Sequence, residues 1–138
     1  MKSGEHAAVG GVVSVVAAFV LFPGSTAMAL VALVGAGIVV SVLIDLDHFV
    51  IARWLMGDWR HLERAVKNPR VGLIEQEKVF ADMDGEGLTP RRLLSHHLIG
   101  GVVTFAVVLV GRPTLAAFVA IVLYAHIVCD YLRDLDYA

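Results

Sequence analysis

From Ala7 to Ile44 the chain runs through thirty-eight consecutive positions without a charged side chain. Two more uncharged tracts cover 98–111 and 113–129. A helix crossing the hydrocarbon core of a bilayer needs about 20 mostly apolar residues. Pro23-Gly24 divides the first tract into candidate spans over 5–22 and 26–44, and Gly111-Arg112-Pro113 divides the second half into 91–110 and 113–132. Ser25 or Thr26 can cap the second helix, and Thr89-Pro90 reads as an N-cap followed by proline at the first helical position. Tight turns force antiparallel neighbours, so the pattern predicts an all-α, integral-membrane, four-helix up-and-down bundle forming one domain over 1–138.

A polar segment over about 49–90 separates the two helical hairpins. Trp54 and Trp59 stand beside Arg53 and Arg60, a combination suited to a helix lying along the membrane surface. Helical patterning resumes in LERAVKN (62–68) and LIEQEKVF (73–80), with a break at Asn68-Pro69. DMDGEG (82–87) reads as a loop, because it lacks the ligand spacing of a calcium loop. A cleavable signal peptide is the competing reading of the first span, given Lys2 and the small residues around Ala27-Met28-Ala29; Glu5 and His6 fit it poorly.

Composition agrees with the pattern. The chain is 58% hydrophobic and 17% charged, against about 45–50% and about 25% for soluble domains. A net charge of −2 offers no polycationic surface, so a nucleic-acid partner is not expected. Cys129, the single cysteine, excludes an intramolecular disulfide. In the predicted topology all thirteen acidic residues fall at the end carrying both termini and the 49–90 segment, with every Lys and Arg except Arg112. The positive-inside rule places that end in the cytoplasm, giving a multi-pass protein of the inner (cytoplasmic) membrane with both termini inside.

The same end collects ligand-type side chains from all four helices: His6, then Asp45, Asp47 and His48, then His96 and His97, then His126 and Asp130. His126 and Asp130 are i and i+4, and Asp45 and His48 are i and i+3, so each pair shares a helix face. Asp47 points elsewhere unless the helix ends there. His96 and His97 lie about 100° apart, so one of them faces the site. His61 sits in a charged stretch and is expected to be solvated. Ionisable groups inside a membrane bundle are costly and mark function. Imidazoles with carboxylates suit zinc, or manganese or iron, and the inventory exceeds one tetrahedral ion. It would serve two metals about 3.5–4 Å apart, with Asp45 as a bridging ligand and Arg91 and Arg92 as phosphate contacts.

An early His, then DLDH, SHH and HIVCD in that order resemble the YdjM-like family of inner-membrane metal-dependent hydrolases, grouped by similarity with zinc-dependent phospholipase C and single-strand nucleases. The resemblance covers most of the chain as ordered motifs and omits 49–88. It implies a metal set drawn from His6, Asp45, Asp47, His48, His96, His126 and Asp130, holding one to three ions, with Asp45, Asp47, Arg91 and Arg92 in catalytic positions. Arg91 stands where the family has a His, and His97 where it has a Ser. The implied activity is hydrolysis, with a phosphoester bond favoured and a lipid-linked or phosphorylated substrate at the membrane. The alternative is a non-enzymatic metal-binding or transport protein, which would want polar groups throughout the membrane depth.

Overall fold

A computed structural model describes residues 3–73, 75, 78–83 and 87–135. Among these the chain is helical throughout: α1 (Ser3–Leu21), α2 (Ala27–Leu43), a 3₁₀ turn (Ile44–Leu46), α3 (Asp47–Met56), α4 (Arg60–Lys67), α5 (Pro69–Leu73), a second 3₁₀ turn (Ala81–Met83), α6 (Leu88–Leu109) and α7 (Pro113–Asp134). Four stretches are long and apolar enough to cross a membrane: Gly4–Leu21, Ala27–Met56, Leu88–Leu109 and Pro113–Asp134. Val12, Val16, Phe19, Val31 and Phe105 are exposed on their outer faces, while His6, Ser14, Ser41, Asp45, His96, His126 and Asp130 are buried. Polar side chains inside and large apolar ones outside are the arrangement a bilayer selects.

The termini of the spans follow local chemistry. Thr26 caps α2, its side-chain oxygen accepting from the Ala29 amide. Gly111, at φ +75, turns the chain between α6 and α7, and Pro113 opens α7. The expected cap at Thr89 is displaced. Gly87, at φ +75, precedes α6, so Thr89 and Pro90 lie within its first turn, where a proline lacking its amide hydrogen costs no helical bond.

The second span differs from expectation in length. No glycine or proline interrupts the chain between Leu43 and Met56, so α2 passes through the 3₁₀ turn directly into α3 and stops only at Gly57, φ +83. The thirty residues would extend about 45 Å, well beyond a core of about 30 Å. Helix α4 and the break at Asn68 match the reading of LERAVKN. Within LIEQEKVF the helix α5 ends at Leu73, residues 74, 76 and 77 lie outside the described residues, and 78–80 form a turn and bend. Residues 84–86 of DMDGEG also lie outside them.

Helices α1, α2 and α7 pack on one another, and α6 packs against α7 and, near its start, against α3. Ala17, Ala18, Phe118 and Val122 form the apolar core of the upper half. Phe49, Ala65 and Val79, flanked by Leu62, Val71 and Phe80, form a second cluster beneath the polar end. Close approach of α1 and α2 depends on small residues. A Cβ on Gly10 would stand 2.6 Å from Ser41 Cβ, and Gly37 faces Ser14 in the same way. The gap lets the Ser41 hydroxyl donate to the His6 carbonyl oxygen at 3.0 Å, fixing the start of α1 against the end of α2.

Candidate metal centre

Four helix ends deliver side chains to one point. His6 comes from the first turn of α1, Asp45 from the 3₁₀ turn, Asp47 and His48 from the start of α3, His96 from the third turn of α6, and His126 with Asp130 from the last turns of α7. The 3₁₀ turn matters here, because with three residues per turn positions i and i+3 eclipse. His48 Nε2 accordingly lies 3.5 Å from Asp45 Oδ1. Asp47 is reached from the other flank: His96 Nε2 stands 3.2 Å from its Oδ1, and the Ser95 hydroxyl contacts its Oδ2.

Two groups of ligand atoms share Asp45. The first is His6, Asp45, His126 and Asp130, and the second is Asp45, His48 and His96, with the atoms of each group within 4.8 Å of one another. In the first, His6 Nε2 lies 3.3 Å from Asp130 Oδ1 and 3.6 Å from Asp45 Oδ2. His126 Nε2 lies 3.4 Å from Asp45 Oδ1 and 3.3 Å from Asp130 Oδ2. A tetrahedral cation with ligand bonds of about 2.0–2.2 Å sets neighbouring ligand atoms about 3.3–3.6 Å apart. The four distances are of that size, and they run to both oxygens of each carboxylate, so one tetrahedron would use only one oxygen from each. In the second group the edges are 3.5 Å (His48 Nε2–Asp45 Oδ1) and 3.7 Å (His96 Nε2–Asp45 Oδ1).

Hydrogen bonding does not account for the arrangement. His6 Nε2, His48 Nε2, His126 Nε2 and both carboxylate oxygens of Asp45 are buried without a hydrogen-bond partner in the protein. Each such atom costs about 1–3 kcal/mol. They converge on one another, with the His6 and His126 rings stacked at 3.8 Å. A divalent cation between them removes both the missing bonds and the uncompensated carboxylate charge. The buried His/Asp group can therefore hold a metal ion. Asp130 Oδ2, 3.2 Å from His96 Nδ1, fits the supporting role in which a carboxylate orients a histidine through its second nitrogen.

His97 stands outside both groups. It is exposed, its Nδ1 lies 2.7 Å from the Leu93 carbonyl oxygen, and its ring meets Tyr131 edge-on. The one-residue step around α6 turns it away as His96 turns in. The two arginines also part company. The Arg91 guanidinium lies over the Trp54 ring and donates to the Gly87 carbonyl oxygen. Arg92 Nη2 is 4.0 Å from Asp130 Oδ1 and pairs with Asp134 at 2.6 Å.

His61 is buried, 1% exposed, contrary to its expected solvation. The charged residues around it are the reason: α4 turns them outward and its ring inward. It stacks on Phe80, and its Nε2 lies 3.0 Å from Asp82 Oδ1. The hydrogen bond from His61, with Arg60 also near, holds the Asp82 carboxyl below its ordinary range. Arg64 donates to the Lys78 and Val79 carbonyl oxygens. This clasp sets Phe80 edge-on against His48 at 6.0 Å and tilted against Phe49 at 5.4 Å, on one flank of the cluster.

Ser41 and Ser95 complete the surroundings of the site and were not singled out by sequence reasoning, which named His61 but expected it to be solvated. Ser41 lies one helical turn before Asp45, and Ser95 adjoins His96, so both positions carried a signal through spacing. No family model, curated protein or solved structure matches the chain.

Proposed function

We propose that this protein is a membrane-embedded, metal-dependent hydrolase acting on a phosphoester bond, with its two ligand groups holding a pair of zinc, manganese or iron ions that share Asp45. The observation that carries the reading is the convergence of five unpartnered ligand atoms, with the imidazole nitrogens 3.4–3.6 Å from the Asp45 oxygens. When bound, such ions supply Lewis acidity toward a phosphoryl oxygen. The side chains do the rest. Asp45 joins the two groups, Asp130 orients His96 through Nδ1, and Ser95 fixes Asp47, whose Oδ1 stands beside the His96 Nε2. Arg92, rather than Arg91, sits where it can contact a phosphate oxygen beside Asp130. Water adds across the ester: a P–O bond to the water oxygen forms, the P–O bond to the alcohol breaks, and the proton passes to the alcohol.

The ordered motifs that resemble the YdjM-like family support hydrolysis over other metal chemistry, and the positive-inside pattern supports a cytoplasmic location for the site. Non-catalytic metal binding is the second reading. It is favoured by closure, since His6, Asp45, His96, His126 and Asp130 are each 5% exposed or less. Element analysis of protein purified in detergent, paired with turnover of chromogenic phosphomonoesters and phosphodiesters, separates the readings. The hydrolase reading expects about two ions per chain and turnover that Asp130→Asn abolishes. Bound metal without turnover of either ester would leave the second reading, and no bound transition metal would defeat both.

A further inference from the structure

A cavity of about 320 Å³ lies between the α2–α3 junction and the α4–α5 pair. Its wall includes Leu43, Leu46, Phe49, Leu62 and Val66, and it includes Asp45, the carboxylate shared by both ligand groups. The volume is at the small end of ligand sites, which run about 300–1,000 Å³. No cationic side chain lines it. Leu43, Leu46 and Val66 are about half to two-thirds exposed, so the rim is apolar as well as the interior. Leu43 and Leu46 belong to a membrane-spanning stretch, so this rim meets the bilayer rather than water.

A polar molecule arriving from water finds nothing in this wall to bind. A headgroup with two chains is too large for the volume. What fits is one linear hydrocarbon segment entering from the bilayer, with its polar end at the Asp45 side. The carboxylate oxygens of Asp45 are covered, so the cavity holds a chain next to the metal centre, and the polar end reaches the ions only when that cover shifts. The clasp of Phe80, His61 and Asp82 meets the cluster at His48. Apolar access beside Asp45 favours a substrate that is already in the membrane.

We infer that the cavity binds the apolar chain of a single-chain amphiphile, an alkyl or prenyl phosphate, and holds its phosphate end beside Asp45. The inference rests on the metal-centre reading and names the substrate class of that site.

The test uses the full chain in phosphatidylcholine nanodiscs, with dodecyl phosphate carrying a diazirine at mid-chain as the probe. After irradiation, adducts are mapped by peptide mass spectrometry, and metal content is measured on the same preparation. Adducts should concentrate on residues 43–49 and 62–66. Unlabelled dodecyl phosphate should displace them and butyl phosphate should not. Val66→Trp and Leu46→Trp, both substitutions at the exposed rim, should remove them without loss of bound metal. Adducts spread over the outward faces of α1 and α6, at Val12 and Phe105 for example, and unchanged in both variants, would show annular lipid and overturn the inference. Metal retained with no adducts in the cavity sinks this inference alone. Adducts in the cavity of a protein that binds no metal uphold the chain site and sink the hydrolase reading instead.

Discussion

Asp45→Asn should have opposite effects on the metal-loaded and the chelated protein. In the native chain the Asp45 carboxylate is 5% exposed and is faced by His6, His48, His96 and His126 at 3.4–3.7 Å, with no hydrogen-bond donor meeting either oxygen. With metal bound, these groups are ligands, and a free ion at a thousandfold excess over its Kd contributes about 4 kcal/mol. At about 2–4 °C per kcal/mol, chelation should lower the Tm of the wild type by roughly 8–16 °C. Asp45→Asn removes the ligand common to both groups, so its Tm should respond little to added zinc or manganese, and its metal content should fall by at least one ion. Once chelated, the ranking reverses. The wild type keeps a buried, unpartnered carboxylate, whereas the asparagine amide can donate to a neighbouring imidazole nitrogen, a gain of about 1–3 kcal/mol. Chelated Asp45→Asn should therefore melt above chelated wild type. Thermal unfolding in detergent, followed by tryptophan fluorescence with and without chelator, reads all four values. If chelation leaves the wild type unmoved and Asp45→Asn is the less stable protein in both conditions, the cluster is a hydrogen-bonded network and the coordination argument is wrong.

Three further outcomes are expected. His96→Ala should lose bound metal while His97→Ala keeps the wild-type content by element analysis, because only His96 is turned inward. Gly10→Ala should push α1 from α2 and strain the Ser41–His6 bond. The cost is about 1–3 kcal/mol for overpacking less up to about 1 kcal/mol of helix propensity, visible as a lower Tm and weaker metal retention. The clasp should loosen in acid. Asp82 titrates below its ordinary value of 3.8 in the folded protein, so its contribution is present above that value and disappears as pH falls through the folded value. A fluorophore on Lys78→Cys, in a Cys129→Ala background, should report the change below about pH 4, and Asp82→Asn should give the loosened signal at every pH.

The spans could be read from sequence because a bilayer imposes one rule, about 20 apolar residues per crossing, and because Pro23, Gly24, Gly111 and Pro113 mark the turns. The convergence of His6, Asp45, His48, His126 and Asp130 was also open to sequence reading. Antiparallel topology fixes which helix ends meet, and spacings of three and four fix the face. The role of Asp47 depended on where α2 ends, and nothing in VSVLIDLDHFV announces a 3₁₀ turn followed by another helix. Which of His96 and His97 faces inward depended on the rotation of α6, and both neighbours are histidine. His61 was misread because its sequence environment is charged while its partners, Phe80 and Asp82, lie about twenty positions away across a segment without clear periodicity.

The depth profile of buried polar groups bears on transport. A through-path for an ion needs polar side chains at successive levels of the membrane. Above the cluster the buried polar groups among the described residues are Ser41 and Ser14. Ser41 is committed to the His6 carbonyl oxygen, and Ser14 fills the space left by Gly37 between α1 and α2. Beyond them Ala17, Ala18, Phe118 and Val122 close the bundle, with Phe22 edge-on to Phe118. Beyond Ser14 no buried polar side chain among the described residues offers an ion a further step. Four spans that concentrate their ligand-type side chains at one mouth and fill the remainder with aliphatic and aromatic side chains fit the proposed metal site better than a through-path.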